Sequence, residues 1–243
     1  MRALYHCAAR CTRQLPEVAP LMIEAVVLDF DGLILDTETP LRRSWNEIYE
    51  QQGFSVSPTA WAEIVGSSAD PEEAYELFER HLGHPVDRMA LRTRRRRREG
   101  ELLKREHIMP GVRQLVNDAK AQGVRLAVAS SSEREWVVGH LARIGLLGSF
   151  EAVACAEDVI TAKPAPDLYI EALRLLDVSP DSAMAFEDSV HGVKAAKAAG
   201  LFCVAVPNQV TRHLAFPEAD MVVDTLADHR LDEFIAIAAA NRG

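Results

Sequence analysis

Two carboxylates two residues apart, Asp29 and Asp31, follow the apolar run Val26-Val27-Leu28 and precede Gly32. A run of that kind reads as a buried strand, so the acids lie where it surfaces. Carboxylates partly withdrawn from water repel each other unless something positive lies between them. A divalent cation such as Mg²⁺ suits that place, because hard cations take oxygen ligands and keep room for waters and a substrate phosphate. One acid of the pair can then attack a phosphorus or carbon centre. The plain alternative is a turn, since Asp and Gly commonly follow any strand.

Three other stretches end or follow apolar runs with chemistry of their own. Val128-Ala129 leads into Ser130-Ser131-Ser132, where a hydroxyl and the backbone N–H groups after it can hold phosphate oxygens, or simply cap the next helix. Lys163 stands in Ala162-Lys163-Pro164-Ala165-Pro166, a backbone stiffened by two prolines. An ammonium presented that rigidly near carboxylates fits a phosphate clamp, although most lysines are ordinary surface residues. Asp167 reads as an acid in the first turn of a helix. Ala185-Phe186 ends in Glu187 and Asp188, two acids that would meet Asp29 if their strands are neighbours.

The elements that must position these groups alternate. Strands are expected at Ala25–Phe30, Val124–Ser130, Ala152–Ala154, Ala183–Glu187, Phe202–Val206 and Met221–Val223, with amphipathic helices at Val112–Gln122, Trp136–Ile144, Pro166–Leu176 and Val190–Ala199. Short apolar strands alternating with such helices predict a doubly wound parallel sheet, an α/β Rossmann-like core. Gly123, Gly145 and Gly200 sit where helices should stop. Between the first strand and the second the alternation breaks. Residues 39–107 carry helical patterns instead, at Leu41–Gln52, Thr59–Val65, Pro71–Leu82 and Val86–Lys104, too long for a loop and sized for an inserted α-helical cap domain. The expected division is a flexible extension at 1–22, the α/β catalytic core at 23–38 and 108–243, and the cap at 39–107. Ligands of open α/β sheets bind outside the carboxyl ends of the strands, which puts all four stretches in one crevice beneath the cap.

Composition narrows the class. The chain has 243 residues, 48% of them hydrophobic and 26% charged, enough for a sizeable core. No apolar run approaches a membrane span, and a net charge of −9 argues against general nucleic-acid binding. Cys7, Cys11, Cys155 and Cys203 are scattered and read as free thiols, which with the other features predicts a cytoplasmic protein. Monomer and weak dimer fit equally well. The run Arg92 to Arg98 reads as a solvated helix face paired with Glu99, Glu101 and Glu106. His191 reads as a first-turn helix residue, and Trp45 and Trp61 as cap core.

Taken in order, Asp29-x-Asp31-Gly32, Ser130, Lys163-Pro164 and Glu187-Asp188 resemble the four motifs of the haloacid dehalogenase superfamily. Asp36-Thr37-Glu38 and Lys163-Pro164-Ala165-Pro166-Asp167 are similar to its β-phosphoglucomutase-like branch, whose helical cap is inserted after the first motif. The resemblance covers roughly residues 23–225. It implies that Asp29 attacks phosphorus to form an aspartyl-phosphate, and that Asp31 protonates the leaving oxygen and then activates water. It implies that Ser130, with Ser131 beside it, and Lys163 hold the phosphoryl group. Mg²⁺ would be held by Asp29, the backbone carbonyl of Asp31 and Asp188, with Glu187 as a further ligand or just behind one. Family ATPases carry Thr in place of Asp31, and dehalogenases lack that acid, so the resemblance implies phosphatase or phosphomutase. The histidine and arginine that mutases of this branch use align with Leu41 and Ala69, which favours hydrolysis of a small phosphorylated metabolite such as a sugar phosphate over transfer. A non-catalytic interaction protein would have no reason to keep all five charged residues. A nucleotide-dependent oxidoreductase would want a Gly-x-Gly-x-x-Gly turn where this chain has Asp-x-Asp-Gly.

Overall fold

The computed structural model describes residues 23–57, 60–61 and 72–241. Six strands, β1 (Ala25–Leu28), β2 (Arg125–Ala129), β3 (Ala152–Ala154), β4 (Ala183–Glu187), β5 (Phe202–Ala205) and β6 (Met221–Val222), form one sheet in the order β3-β2-β1-β4-β5-β6. Every pairing is parallel, and β1 sits at the centre, with Ala25 opposite Arg125 on one side and Ala183 on the other. The helices of this core are α4 (Val112–Gln122), α5 (Arg134–Arg143), α6 (Asp167–Leu176), α7 (Val190–Ala198) and α8 (Leu231–Asn241).

Alternation along the strands makes two unlike faces. One carries large side chains, among them Val26, Leu28, Leu126, Val128, Met184 and Phe186, and packs on Leu115 and Val116 of α4, Leu141 of α5 and Phe234 of α8. The other is rich in alanine, with Ala25, Ala127, Ala129, Ala183 and Ala185, so α6 and α7 approach it closely through Leu168, Tyr169, Leu173 and Val193. Both faces of a parallel sheet are thereby removed from water, and each fully buried aliphatic side chain contributes about 1.5–3 kcal/mol to that burial. Gly123 ends α4 at φ 71°, left-handed backbone that glycine adopts without strain.

Between β1 and α4 lie α1 (Glu38–Glu50), α2 (Glu72–Leu82) and α3 (Arg88–Leu103), the helices of the inserted cap. They share a separate hydrophobic cluster of Leu41, Trp45, Ile48 and Tyr49 from α1, Tyr75 and Phe78 from α2 and Leu91 from α3, with Trp61 buried among them. The two tryptophans are cap core, as expected. Val210, from the loop after β5, packs against the same cluster and ties the cap to the core.

Several expectations are corrected. β1 stops at Leu28, not Phe30, so both acids lie past the end of the strand. α1 starts at Glu38, three residues early, where the Asp36 Oδ1 acceptor receives the Thr39 N–H at 2.9 Å and starts the helix. α8 was not foreseen at all, although Leu231, Phe234 and Ala238 recur at helical spacing and are buried. The arginine run is not simply a solvated face. Arg95 is 1% exposed, donates to Glu99 Oε2 at 2.6 Å and lies 5.7 Å over the Trp45 ring, while Arg98 reaches across to Glu47 of α1 with two hydrogen bonds at 2.6 and 2.9 Å. Arg94, Arg96 and Arg97 are exposed as expected. Residues 1–22, most of the helix expected at Thr59–Val65, and Ala69 lie outside the described residues. Cys155 and Cys203 are buried free thiols. No helix among the described residues is long and apolar enough to cross a membrane.

Candidate active site

The carboxyl ends of β1, β2 and β4 bring the expected residues to one edge. Asp29 leaves β1 with its N–H still donated to the Phe186 carbonyl of β4 at 3.0 Å, so the backbone holds it beside Glu187 and Asp188. Asp29, Glu187 and Asp188 are all buried, and each turns one oxygen to within 4.8 Å of the others. Lys163 lies across two of them, with Nζ 2.5 Å from Asp29 Oδ1 and 2.5 Å from Glu187 Oε1, and donates to the Ala129 carbonyl at 2.8 Å. Its ammonium also stands 5.0 Å over the ring of Tyr169, whose hydroxyl donates to Glu187 Oε1 at 2.7 Å.

Electrostatics follow from that crowding. Burial pushes Asp29 well above the usual carboxylate range; Lys163 pulls it back, and Glu187 and Asp31 push it further up. Burial likewise raises Asp188, with Asp29, Glu187 and Glu38 adding to the rise. For Lys163, burial alone would lower the pKa, but Asp29 and Glu187 outweigh it and the net shift is upward. One ammonium thus pairs with two of three buried carboxylates, and the surplus of negative charge on hard oxygen donors fits a divalent cation of the Mg²⁺ kind.

Asp31 points elsewhere. Its Oδ2 accepts from Ser130 Oγ at 3.2 Å and Ser132 Oγ at 2.6 Å, and its Oδ1 from the Trp136 indole N–H at 3.0 Å. The Asp31 carboxylate, expected among the metal ligands, is therefore not a member of the carboxylate trio. Ser130 is buried, and its Oγ also accepts from Ser132 N at 3.0 Å. Ser131 is exposed at the loop's tip, so the hydroxyl brought to Asp31 beside that of Ser130 is the one at Ser132.

The sequence reading missed several residues that complete the edge. Ser132, Trp136 and Tyr169 supply the hydrogen bonds above. Gly32 has φ 82°, and a Cβ there would fall on Asp188 Oδ2 and the Asn208 amide. A Cβ at Gly192 in α7 would fall on the Glu187 carboxylate itself. Asn208 is buried and donates to Asp188 Oδ2 at 2.6 Å. At the cap junction, burial and then the charges of Asp31, Asp36 and Glu99 push the half-buried Glu38 up to about 7, and its Oε2 is enclosed without a hydrogen-bond partner among the described residues. His191 takes the second position of α7, as expected.

A doubly wound sheet that gathers such groups beneath a helical cap is the framework of an α/β enzyme. The chain belongs to the haloacid dehalogenase-like hydrolase family, whose model matches residues 26–206. YhcW of Bacillus subtilis is 41% identical over 210 residues, covering 86% of this chain and 95% of that protein. The phosphorylated carbohydrates phosphatase of Thermotoga maritima is 28% identical over 190 residues, 74% of this chain and 82% of that one. Among solved structures, a mutant of CbbY from Rhodobacter sphaeroides in complex with xylulose-(1,5)bisphosphate aligns with a TM-score of 0.69 at 31% identity, covering 85% of this chain and 96% of that chain.

Proposed function

We propose that this enzyme is a Mg²⁺-dependent phosphomonoesterase acting on a small phosphorylated metabolite, such as a sugar phosphate, through an aspartyl-phosphate on Asp29. One observation carries the reading: the two acids of the first motif are held apart for different work. Asp29 is fixed by Lys163 among the clustered carboxylates. Asp31 is held by three side-chain donors on the other side. In the first step an Asp29 oxygen attacks phosphorus, the ester P–O bond breaks, and protonated Asp31 gives its proton to the leaving alkoxide. In the second step Asp31, now a carboxylate, takes a proton from water as the water oxygen attacks phosphorus, and Asp29 leaves as a carboxylate with inorganic phosphate released. Ser130 and Lys163 hold the phosphoryl oxygens, with Ser131 at the rim. Asp29, Asp188 and the Asp31 carbonyl hold Mg²⁺, backed by Glu187. The ion supplies charge neutralisation at the transferring phosphoryl group, the main requirement of this chemistry.

The names of the relatives support a phosphorylated substrate, and the burial of Leu41 in the cap cluster supports release to water. A mutase of the related branch would offer a histidine there. We assign substrate selection to the cap, residues 39–107, and chemistry to residues 23–38 and 108–243. The test is release of inorganic phosphate from a panel of phosphometabolites with Mg²⁺, beside Asp29→Asn. Turnover by the unaltered chain and none by Asp29→Asn is expected. Intact Mg²⁺ binding with no activity on any phosphomonoester would refute the reading.

A further inference from the structure

Lys163 divides its charge between Asp29 and Glu187, and Asp188 receives no ion pair among the described residues. Among the described residues, the one side chain that donates to Asp188 is the neutral amide of Asn208, Nδ2 to Oδ2 at 2.6 Å. An amide adds no charge, so it leaves the demand of Asp188 for a cation in place. What it does is occupy one oxygen, Oδ2, of a carboxylate that also turns an oxygen to within 4.8 Å of those of Asp29 and Glu187.

Asn208 is itself held on every side. Its Nδ2 also lies 3.4 Å from the Gly32 carbonyl, and its Oδ1 accepts from Val210 N at 2.8 Å and Thr211 N at 3.1 Å. Its own N–H donates to Thr211 Oγ1 at 3.0 Å, and the residue is 7% exposed. Exchanging amide oxygen for nitrogen would lose the side-chain contacts, so the orientation is unique. Gly32 completes the fit, since any Cβ there would strike both Asp188 and the amide. The ends of β1, β4 and β5 therefore meet at a single carboxylate.

We propose that Asn208 is the positioning residue of the cation site, fixing which oxygen of Asp188 faces the ion. The inference rests on the proposed Mg²⁺-dependent function and goes beyond it, because Asn208 lies in a loop outside the four motifs. Partners that orient metal ligands through one hydrogen bond are worth about 10- to 100-fold in metal affinity. Calorimetric titration of the full chain with MgCl₂ alone tests it. Asn208→Ala, and the milder Asn208→Ser in case the first does not fold, should weaken Mg²⁺ binding by about 10- to 100-fold. Phosphatase activity of either variant should recover as Mg²⁺ is raised by the same factor. Thr211→Val, which loosens the same loop but leaves the Asp188 contact alone, should stay within about twofold of the unaltered chain, below the range for a lost orienting bond. Unchanged Mg²⁺ affinity in the Asn208 variants, or an equal loss in Thr211→Val, would overturn the proposal. Absence of Mg²⁺ binding to the unaltered chain would instead overturn the parent function.

Discussion

Replacing Gly192 by alanine separates helix propensity from the architecture of the site. Gly192 lies in the first turn of α7, and glycine inside a helix costs about 1 kcal/mol relative to alanine, so propensity alone predicts stabilisation. The fold predicts the opposite. The new methyl would occupy the space of the Glu187 carboxylate, which is 0% exposed and receives Lys163 Nζ and the Tyr169 hydroxyl. Moving Glu187 aside breaks a buried ion pair, at a cost of about 3–5 kcal/mol. The net expectation for Gly192→Ala is a loss of about 2–4 kcal/mol, or roughly 4–16 °C in Tm for a domain of this size. Gly139 in α5 is the control, since a Cβ there meets nothing. Gly139→Ala should gain up to about 1 kcal/mol, a rise of roughly 2–4 °C. Differential scanning calorimetry of both variants, without added metal, reads the contrast. If Gly192→Ala melts with or above Gly139→Ala, the steric reasoning fails. The same displacement should pull Lys163 off the phosphoryl site and cut kcat/KM by about 100-fold or more, as removal of an electrostatic donor does.

Three further outcomes follow from the site. Trp136→Phe removes one N–H from Asp31 and keeps a ring, so hydrolysis of alkyl phosphates, whose leaving oxygen needs a proton, should fall about 10-fold more than hydrolysis of p-nitrophenyl phosphate; equal losses would mean that the indole does not act through Asp31. Glu38, raised from 4.5 to about 7, binds its proton more tightly in the folded state, so its effect on stability is absent below the unfolded pKa and becomes a penalty as pH rises towards 7. Glu38→Gln should leave Tm unchanged near pH 4 and stabilise by about 1–3 kcal/mol at pH 8, and a variant effect of the same size at both pH values would refute the charge argument. Because burial raises Asp29 and Asp188 above the usual carboxylate range, Mg²⁺ bound at the proposed site should displace protons. Its affinity should therefore rise with pH, with proton uptake by the buffer visible in calorimetry; a pH-independent affinity would remove these acids from the ligand set.

How far the sequence foretold this site depends on the kind of signal each residue carries. Asp29, Glu187 and Asp188 lie at the ends of apolar runs, and strand patterns locate such ends well, so their meeting follows once the sheet is parallel; Lys163 comes from the proline-stiffened loop after β3. Asp31 was legible as an acid but not in its direction, because the turn after β1 is decided by Gly32 and by hydrogen bonds from another strand's loop. Trp136 and Tyr169 sit at core-like positions of amphipathic helices. Periodicity reads them as packing, and only the fold shows a polar tip reaching the site. Asn208 follows no period at all, and its partners Gly32 and Asp188 lie 176 and 20 residues away in the chain. The arginine run was legible in part, with Arg95–Glu99 and Arg97–Glu101 paired at helical spacing, and the rest was missed for a related reason. Spacing within α3 shows which residues share a face, but not that α1 covers one side of it.

The central place of β1 also bears on how the chain is made. The strand that leads to Asp29 is synthesised before both of its partners, residues 125–128 and 183–186. Until the second of these leaves the ribosome, β1 has at least one open edge. Ala25 to Leu28 is then an apolar segment free of proline, the type that pairs with other chains during folding. The cap helices are made in the interval, and they form from local contacts, which are quick to assemble. Asp29 and Asp31 interrupt the apolar run at its end, and charges in that position hinder growth of intermolecular β-structure. The acids assigned here to chemistry would thus also guard the nascent chain, and Asp29→Asn would remove a safeguard against aggregation along with the proposed nucleophile.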